Sequence, residues 1–584
     1  MHKIQHKKKI FEIIKTISEI NKFSKLKNCK LTTIYLHFKK AHFLIKLFVE
    51  ISYYILNVFS LIYKRSFFLN LNLKNKIFII KKTQNLTFLK QDKLSELFHA
   101  LIVLHTDLEE NEKKVNLKEE KFKKKFVENV VIGSGPSGSI TALKLKEKNK
   151  DTLIIEKGNF YKNFKYKHPG KEFLTKWEFG GLSSSMGNSE IKYASAECFG
   201  GGSEINSGLY HEPDKNFVKN LIKNYNIKNL KYKDLIKNLR NIKKLVRINS
   251  MKLEKNLVSN LIYKTAKKIG WRVETIPRLI NNNFKKSSMT STFLKGYIKR
   301  KGKVLLNANV TKIRKNNRLW EIKILKNNKI INLNCKNLFI CAGTINTLAL
   351  LKKNNLIQKK KISKFHFHPM IKVIAKFPYK INDKNFDISS TQINNFFPQF
   401  IIGNASSTKA QLKINSYQNK KVYGDIERNW HKMGIFHVTF SLGEGKIYTK
   451  LNQKDPIVFY NIKKKEIKIL NKGLNSLINF LIKAGSEYVY PITSLNKIIT
   501  SKNLEILNLK SPKKFNLSTV HLLGGCPFGE NKANTILDSY GKVHTQNNLF
   551  VNDGSLICGN LVKNPQGIIM SLAYRNIEHF IKKF

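Results

Sequence analysis

The stretch VVIGSGPSG sets Gly133, Gly135 and Gly138 in G-x-G-x-x-G spacing, and no other feature narrows the fold as far. An apolar run, NVVI, leads into it. PSGSITALKLKEK follows with helical periodicity, and DTLIIEKG then reads as a second buried strand. Strand, glycine turn, helix and strand make a βαβ unit, which requires a parallel sheet with a right-handed crossover. The three glycines do different things. Gly133 permits the tight turn, Gly135 lets backbone approach a pyrophosphate, and Gly138 lets helix and strand pack closely. The helix start offers free N–H groups and the positive end of its dipole to phosphates. Glu156, closing the second strand, is placed to accept from a ribose hydroxyl pair, which disfavours a 2′-phosphate. The spacing thus predicts a doubly wound α/β domain that binds a dinucleotide.

A second cluster, CFGGGSEINSGLY, supplies Gly200, Gly201, Gly202, Ser203 and Asn206. Three consecutive glycines imply backbone pressed against something flat or charged. A bound flavin needs so long a cradle more than a diffusible nicotinamide does, so FAD is the expected cofactor. Near the C-terminus, STVHLLGGCPFG puts His521 just ahead of Gly524-Gly525. Taken alone, that histidine reads as a packed core residue, a metal ligand or a catalytic base. The six cysteines show neither C-x-x-C nor zinc spacing, so no metal site is expected, and they read as reduced, buried thiols.

Lys and Arg number 107 against 39 Asp and Glu, a formal net charge of +68. Such an excess usually points to nucleic acid or an anionic membrane. Here it is lysine spread over the whole chain, alongside abundant Asn and Ile. Phosphate readers favour clustered arginine with its planar fork. Nucleic acid is therefore not expected as a partner. The N-terminus lacks a secretory pattern, and the chain reads as cytoplasmic. One stretch, AHFLIKLFVEISYYILNVFSLIY at residues 41–63, is long enough to span a bilayer, but Lys46 and Glu50 interrupt it. Those two are four apart and suited to pairing on one helix face. The segment is expected as a core or interfacial helix, with a membrane-spanning helix as the alternative, and a peripheral membrane contact through it stays open.

Several ordered motifs together resemble the glucose–methanol–choline (GMC) family of FAD-dependent oxidoreductases. They are VVIGSGPSGSITALKL with LIIEKG, FGGGSEINSGLYHEP, NANVTKI, CAGTINTLALL, and HLLGGCPFG with VNDGSLICGNLVKNPQGIIMSLAYR. The likeness runs from about residue 126 to 584 and is strongest, in its tail, to the cholesterol-oxidase and long-chain-alcohol-oxidase branches. It implies that His521 takes the hydroxyl proton of an alcohol while hydride leaves the same carbon for flavin N5. An imidazole suits that role, its unperturbed pKa of ~6.5 lying near working pH. The resemblance also implies that Asn564 orients the substrate oxygen, that the backbone at Val310 meets adenine, and that Asp553 and Gly554 contact the flavin chain. His368 is expected to be structural, and His211 has no role assigned. Leu348 and Asn354-Asn355 depart from the family's second signature.

The organisation expected is a basic, mostly helical extension and linker (1–125), followed by an FAD domain in three pieces. Those pieces are 126–215, 301–365 and 511–584, the last carrying His521 and Asn564. A helical segment (216–300) and an antiparallel sheet region (366–510) form an α+β substrate domain. Its residues show no charged pair assignable to a ligand, and an apolar or lipid-like alcohol is preferred. The electron acceptor, oxygen, quinone or cytochrome, stays open. So do two rival readings: a flavoprotein isomerase or double-bond reductase on a lipid, and a non-catalytic basic membrane- or nucleic-acid-binding protein on the same fold.

Overall fold

The computed structural model describes residues 2–21, 28–84, 91–106, 124–161, 169–250, 256–281, 285–358, 364–382, 390–449 and 455–583. The expected linker ahead of residue 126 lies mostly outside the described residues. The chain forms two compact units. One gathers Met1–Lys114, Asn163–Ser183 and Thr408–Trp430; the other gathers Val115–Lys162, Ser184–Ser407 and His431–Phe584. A division at residue 125 does not reveal that two later segments join the first unit.

In the first unit, helices His2–Ile20, Asn28–Lys40, Phe43–Lys64, Leu73–Gln84 and Gln91–His105 follow one another. Apolar residues at three- and four-residue steps, such as Ile13, Ile17, Ile34, Phe38, Phe98 and Leu101, bring them onto one core. The helix Phe43–Lys64 is apolar nearly all round. It buries Val49, Tyr53 and Leu56 and exposes Leu47, Ile51, Tyr54, Val58 and Leu61. Glu50 pairs with His6 Nε2 at 2.9 Å and not with Lys46 as the four-residue spacing predicts. A partner on the adjacent helix is already within reach there, and Lys46 is left out.

The second unit is built on a parallel sheet. Its strands run in the order Lys303–Leu305, Thr152–Ile155, Phe126–Ile132, Lys329–Ile340 and Leu549–Val551. Strand Lys329–Ile340 also closes an antiparallel meander with Ala308–Asn316 and Leu319–Lys326. Asn327 and Asn328, with φ of 49° and 61°, make the hairpin turn between Leu319–Lys326 and Lys329–Ile340. Alternation assigns the two sheet faces. Val131, Ile154 and Phe339 pack with Leu143, Met570 and Ile577 of helices Pro136–Glu147 and Gln566–Lys583. Val130, Ile132 and Leu153 share a core with Val310, Ile313 and Ile322 of the meander.

A second, eight-stranded sheet includes Met370–Lys376, Met433–Phe440, Phe400–Ala405 and Thr391–Ile393 side by side. Val373, Val438, Phe440 and Ile402 bury one face against helix Lys464–Lys483. Gly473 permits that approach, since a Cβ there would lie 2.5 Å from the Phe440 ring. The residues between, Lys372, His437, Gly403 and Gln392, therefore belong to the opposite face.

Candidate active site

The two glycine loops meet. An added Cβ at Gly201 would stand 2.7 Å from Gly135 Cα. Ser134 joins them: its Oγ donates to Glu156 Oε2 at 2.6 Å and accepts from Gly200 N at 2.9 Å. Gly133 turns with φ +97°, and a Cβ there would lie 2.3 Å from the Cys341 carbonyl oxygen. Gly135 and Gly202 are different, because a Cβ on either meets no atom within 4 Å. Their open sides form a cradle at the start of helix Pro136–Glu147, where no side chain caps the first N–H groups. A dinucleotide pyrophosphate fits that arrangement in shape and in charge.

Glu156 is buried, and burial pushes its carboxyl upward. Its Oε1 accepts from Gly158 N at 2.8 Å and its Oε2 from Ser134 N at 3.0 Å, which leaves acceptor capacity for a ribose. Ala308 N bonds Glu156 O and Asn307 N bonds Gly158 O, so Val310 enters the meander just beyond this carboxylate. Other expected contacts are engaged within the protein. Ser203 Oγ donates to Gly200 O at 2.7 Å and accepts from Met289 N. Asn206 Nδ2 donates to Gln566 Oε1 at 2.6 Å. Asp553, buried, accepts from Gly343 N and Thr347 Oγ1 on one oxygen and from Ser555 N and Oγ on the other. These side chains hold the loops, leaving backbone N–H groups as what the loops can present to a ligand.

His521 sits where Thr519 ties down its own backbone. The turn after it needs its glycines. Gly524 has φ +78° and Gly525 φ +104°, and a Cβ on Gly525 would strike Leu348 at 2.6 Å. His521 Nδ1 lies 3.0 Å from His368 Nδ1, with the rings nearly perpendicular. One of the two must carry the shared proton. If His521 donates it, His521 Nε2 is left as a lone pair, and no protein partner takes that nitrogen among the described residues. The other ring nitrogen of His368 has the Leu561 carbonyl nearby without hydrogen-bond alignment.

His211 faces the same space: its Nδ1 accepts from Asn564 N at 3.2 Å. His437 lies on the sheet face opposite, directly across the strand pair from Lys372 and from Gly403. Burial pushes His521, His211 and His437 down to about 4, so all three are neutral near pH 7. Nearby positive charge adds to this for His211 and His437, from Lys563 and from Lys372 respectively. His437, His521 and Lys372 are enclosed by protein yet keep part of their surface open, as side chains lining an internal space do.

The sequence reading thus singles out His521 and Asn564, and the structure gathers them with His211 and His368. His437 and Lys372 are absent from that reading. Lys372 did leave a signal, a lysine in the otherwise apolar strand MIKVIAK. Cys198, Cys335, Cys341, Cys526 and Cys558 are buried and form no disulfide among the described residues.

A GMC oxidoreductase N-terminal family model matches residues 173–370, and a GMC oxidoreductase C-terminal model matches 445–573. The uncharacterized GMC-type oxidoreductase y4nJ of Sinorhizobium fredii is 27% identical over 77% of this chain and 93% of its own length. The long-chain-alcohol oxidase FAO3 of Arabidopsis thaliana is 21% identical over 76% of this chain and 66% of its own. Among solved structures, pyridoxine 4-oxidase from Mesorbium loti superimposes with a TM-score of 0.63 at 11% identity, covering 78% of this chain and 99% of that one. A formate oxidase variant from Aspergillus oryzae gives 0.59 at 13% identity, covering 79% and 100%.

Proposed function

The chain belongs to the GMC oxidoreductase family and binds FAD, and from that premise we propose that it oxidises the CH–OH group of an alcohol with His521 as the base. Bound FAD supplies the acceptor for the hydride that leaves the alcohol carbon. His521 Nε2 takes the hydroxyl proton as that hydride departs, so a hydride and a proton leave, two electrons and two protons in all, and a carbonyl forms. A histidine neutral at working pH suits this step, because only the neutral ring offers the lone pair. His368 holds the ring at its Nδ1, and when His368 accepts there from His521 Nδ1–H the Nε2 lone pair is free for the substrate. The Asn564 amide orients the substrate oxygen toward His521. We assign the pyrophosphate to the open sides of Gly135 and Gly202, with Gly133, Gly138, Gly200 and Gly201 shaping the turns. Adenine and ribose fall to Val310 and Glu156. Ser203, Asn206, Asp553 and Gly554 support the flavin loops.

The single observation that carries this reading is the pairing of His521 with His368 beside Asn564 and His211. Purified protein mixed anaerobically with a panel of alcohols tests it. Loss of flavin colour with a carbonyl product is expected. Bleaching by a lipid enone or isomerisation without bleaching, with no response to any alcohol, would replace it with one of the rival reactions. Oxygen, quinone and cytochrome all remain acceptors to assay for the second half-reaction.

The exposed stripe on helix Phe43–Lys64 supports a peripheral lipid contact for the helical unit, with Lys64 and Arg65 at its end to meet anionic headgroups. Co-sedimentation with phosphatidylserine vesicles should fall when Ile51→Glu and Val58→Glu are combined. Unchanged sedimentation would remove the stripe from membrane binding.

A further inference from the structure

The face of the substrate sheet turned away from helix Lys464–Lys483 carries Lys372, while Lys376, farther along the same strand, is paired with Glu487. Among the described residues Lys372 makes no ion pair, and no acidic group adds to its electrostatic surroundings. Its ammonium is pushed down to about 8 by burial and by the positive charge of Lys192, which strand Lys192–Tyr193 brings to the same flank. His437 stands directly across the strand pair from Lys372, in cross-strand side-chain contact range of about 4.5–5.5 Å between Cβ atoms. Its Nδ1 is buried and makes no hydrogen bond. Gly403, on the next strand, faces the same ring and leaves room beside it: an added Cβ would lie 3.4 Å from His437 Cε1. His437 lies within electrostatic reach of both Lys372 and His521, and His368, which meets His521 Nδ1 at 3.0 Å, stands two residues before the strand that carries Lys372.

An unpaired ammonium enclosed by protein is costly, and proteins tolerate one where a ligand completes it. Among the described residues, the groups whose charges reach His211, His368, His437, His521 and Lys372 are histidines and lysines, with no aspartate or glutamate among them. One lysine with a neutral imidazole beside it matches a single negative charge with two oxygens. A phosphate dianion would call for more cations or an arginine fork.

We propose that the alcohol oxidised here carries a carboxylate, which Lys372 and His437 hold on the sheet while the carbinol carbon lies at His521. This rests on the alcohol-oxidation reading above and replaces a purely apolar substrate with an acidic one. His437 Nε2–H donates to one carboxylate oxygen and the Lys372 ammonium to the other. The step itself is unchanged: the hydroxyl proton goes to His521, two electrons leave as hydride to FAD, and the carboxylate is neither made nor broken.

The test compares ω-hydroxycarboxylates with primary alcohols of equal chain length, using the FAD-loaded full chain. The quantity read is the ratio of their second-order rate constants for anaerobic flavin reduction. The ratio should favour the hydroxycarboxylate at the best length. Lys372→Met should lower it about 10-fold or more, as expected for a lost hydrogen bond to a charged group, and Lys372→Arg should restore much of it. Folding is checked by thermal melting, where Lys372→Met is expected to be as stable as the parent or more so, since an apolar side chain replaces an unpaired buried charge.

A second readout needs no turnover. An unreactive alkanoate of matching length should perturb the visible flavin spectrum saturably in the parent and much more weakly in Lys372→Met. A ratio untouched by Lys372→Met, or a parent that favours the neutral alcohol at every length, overturns the proposal. So does an equal slowing of both classes, which would assign the lysine to the flavin instead. If no alcohol bleaches the flavin yet the alkanoate shift persists and depends on Lys372, the anion seat stands and the oxidation reading falls.

Discussion

Two regions of the second unit solve different problems with different parts of the chain. In the cradle, Gly133, Gly135 and Gly138 lie within one turn and the start of one helix, and Gly200 and Gly201 close on them. What that region offers a ligand is backbone: open sides, N–H groups and a helix end. In the reaction space, His211, His368, His437 and His521 come from four distant segments, and what they offer is side-chain chemistry. The cradle works through shape, which short sequence spacing specifies. The proposed reaction space works through burial, which keeps ordinary histidines neutral and leaves Lys372 without an acidic partner among the described residues. Shape should therefore fail locally when a glycine changes, whereas chemistry should fail without loss of fold or cofactor.

The largest effect expected on the chemical side is that of His521→Ala. The protein should stay yellow, while flavin reduction by alcohol slows by about 10² or more in stopped-flow mixing. On the cradle side, two glycines that look alike in sequence should separate. Gly133→Ala places a Cβ 2.3 Å from a backbone oxygen at φ +97° and should destabilise the folded protein itself, by about 1–3 kcal/mol or more in chemical denaturation. Gly135→Ala meets open space and should leave the flavin-free protein's stability within about 1 kcal/mol, yet weaken FAD binding about 10-fold or more by titration. Equal behaviour of the two variants would erase the distinction between a glycine kept for the fold and one kept for the ligand.

Smaller still is His368→Asn, which keeps a polar partner near His521 Nδ1. It should lower kcat roughly 10-fold with little change in KM, because the ring loses its fixed tautomer and the substrate contacts remain. The gentlest test is pH. Burial holds His37, His99, His211, His437 and His521 at about 4 in the folded protein against ~6.5 unfolded. A depressed histidine pKa means that the unfolded chain binds the proton first. Stability should then be full above about pH 6.5 and decline as pH falls toward 4. A melting temperature that is flat or rises across that window would contradict the buried, neutral state of these rings.

How much the sequence discloses follows the same division. The βαβ unit rests on local rules of spacing, and it appears where those rules put it. His521 and Asn564 could be singled out because they sit in short motifs. His437 could not, since its role depends on which face of a strand meets the flavin side, and that is set by how Val438 and Phe440 pack on helix Lys464–Lys483. Lys372 was visible as an oddity in an apolar strand, but its lack of an acidic partner is a property of the fold. Ser134 and Asp553 show the converse. They lie inside or beside recognisable motifs, yet their side chains bind the protein's own loops. The joining of residues 163–183 and 408–430 to the helical unit has no local signature at all.

The account stands on hydride loss from an alcohol carbon in step with proton transfer to His521. Its most direct measurement is anaerobic mixing of the yellow protein with the best alcohol of the panel and with the same alcohol deuterated at the carbinol carbon. The account predicts that flavin colour disappears more slowly with the deuterated compound, with one carbonyl formed for each flavin bleached. Identical rates for the two compounds in a single turnover, or bleaching without a carbonyl, would contradict it.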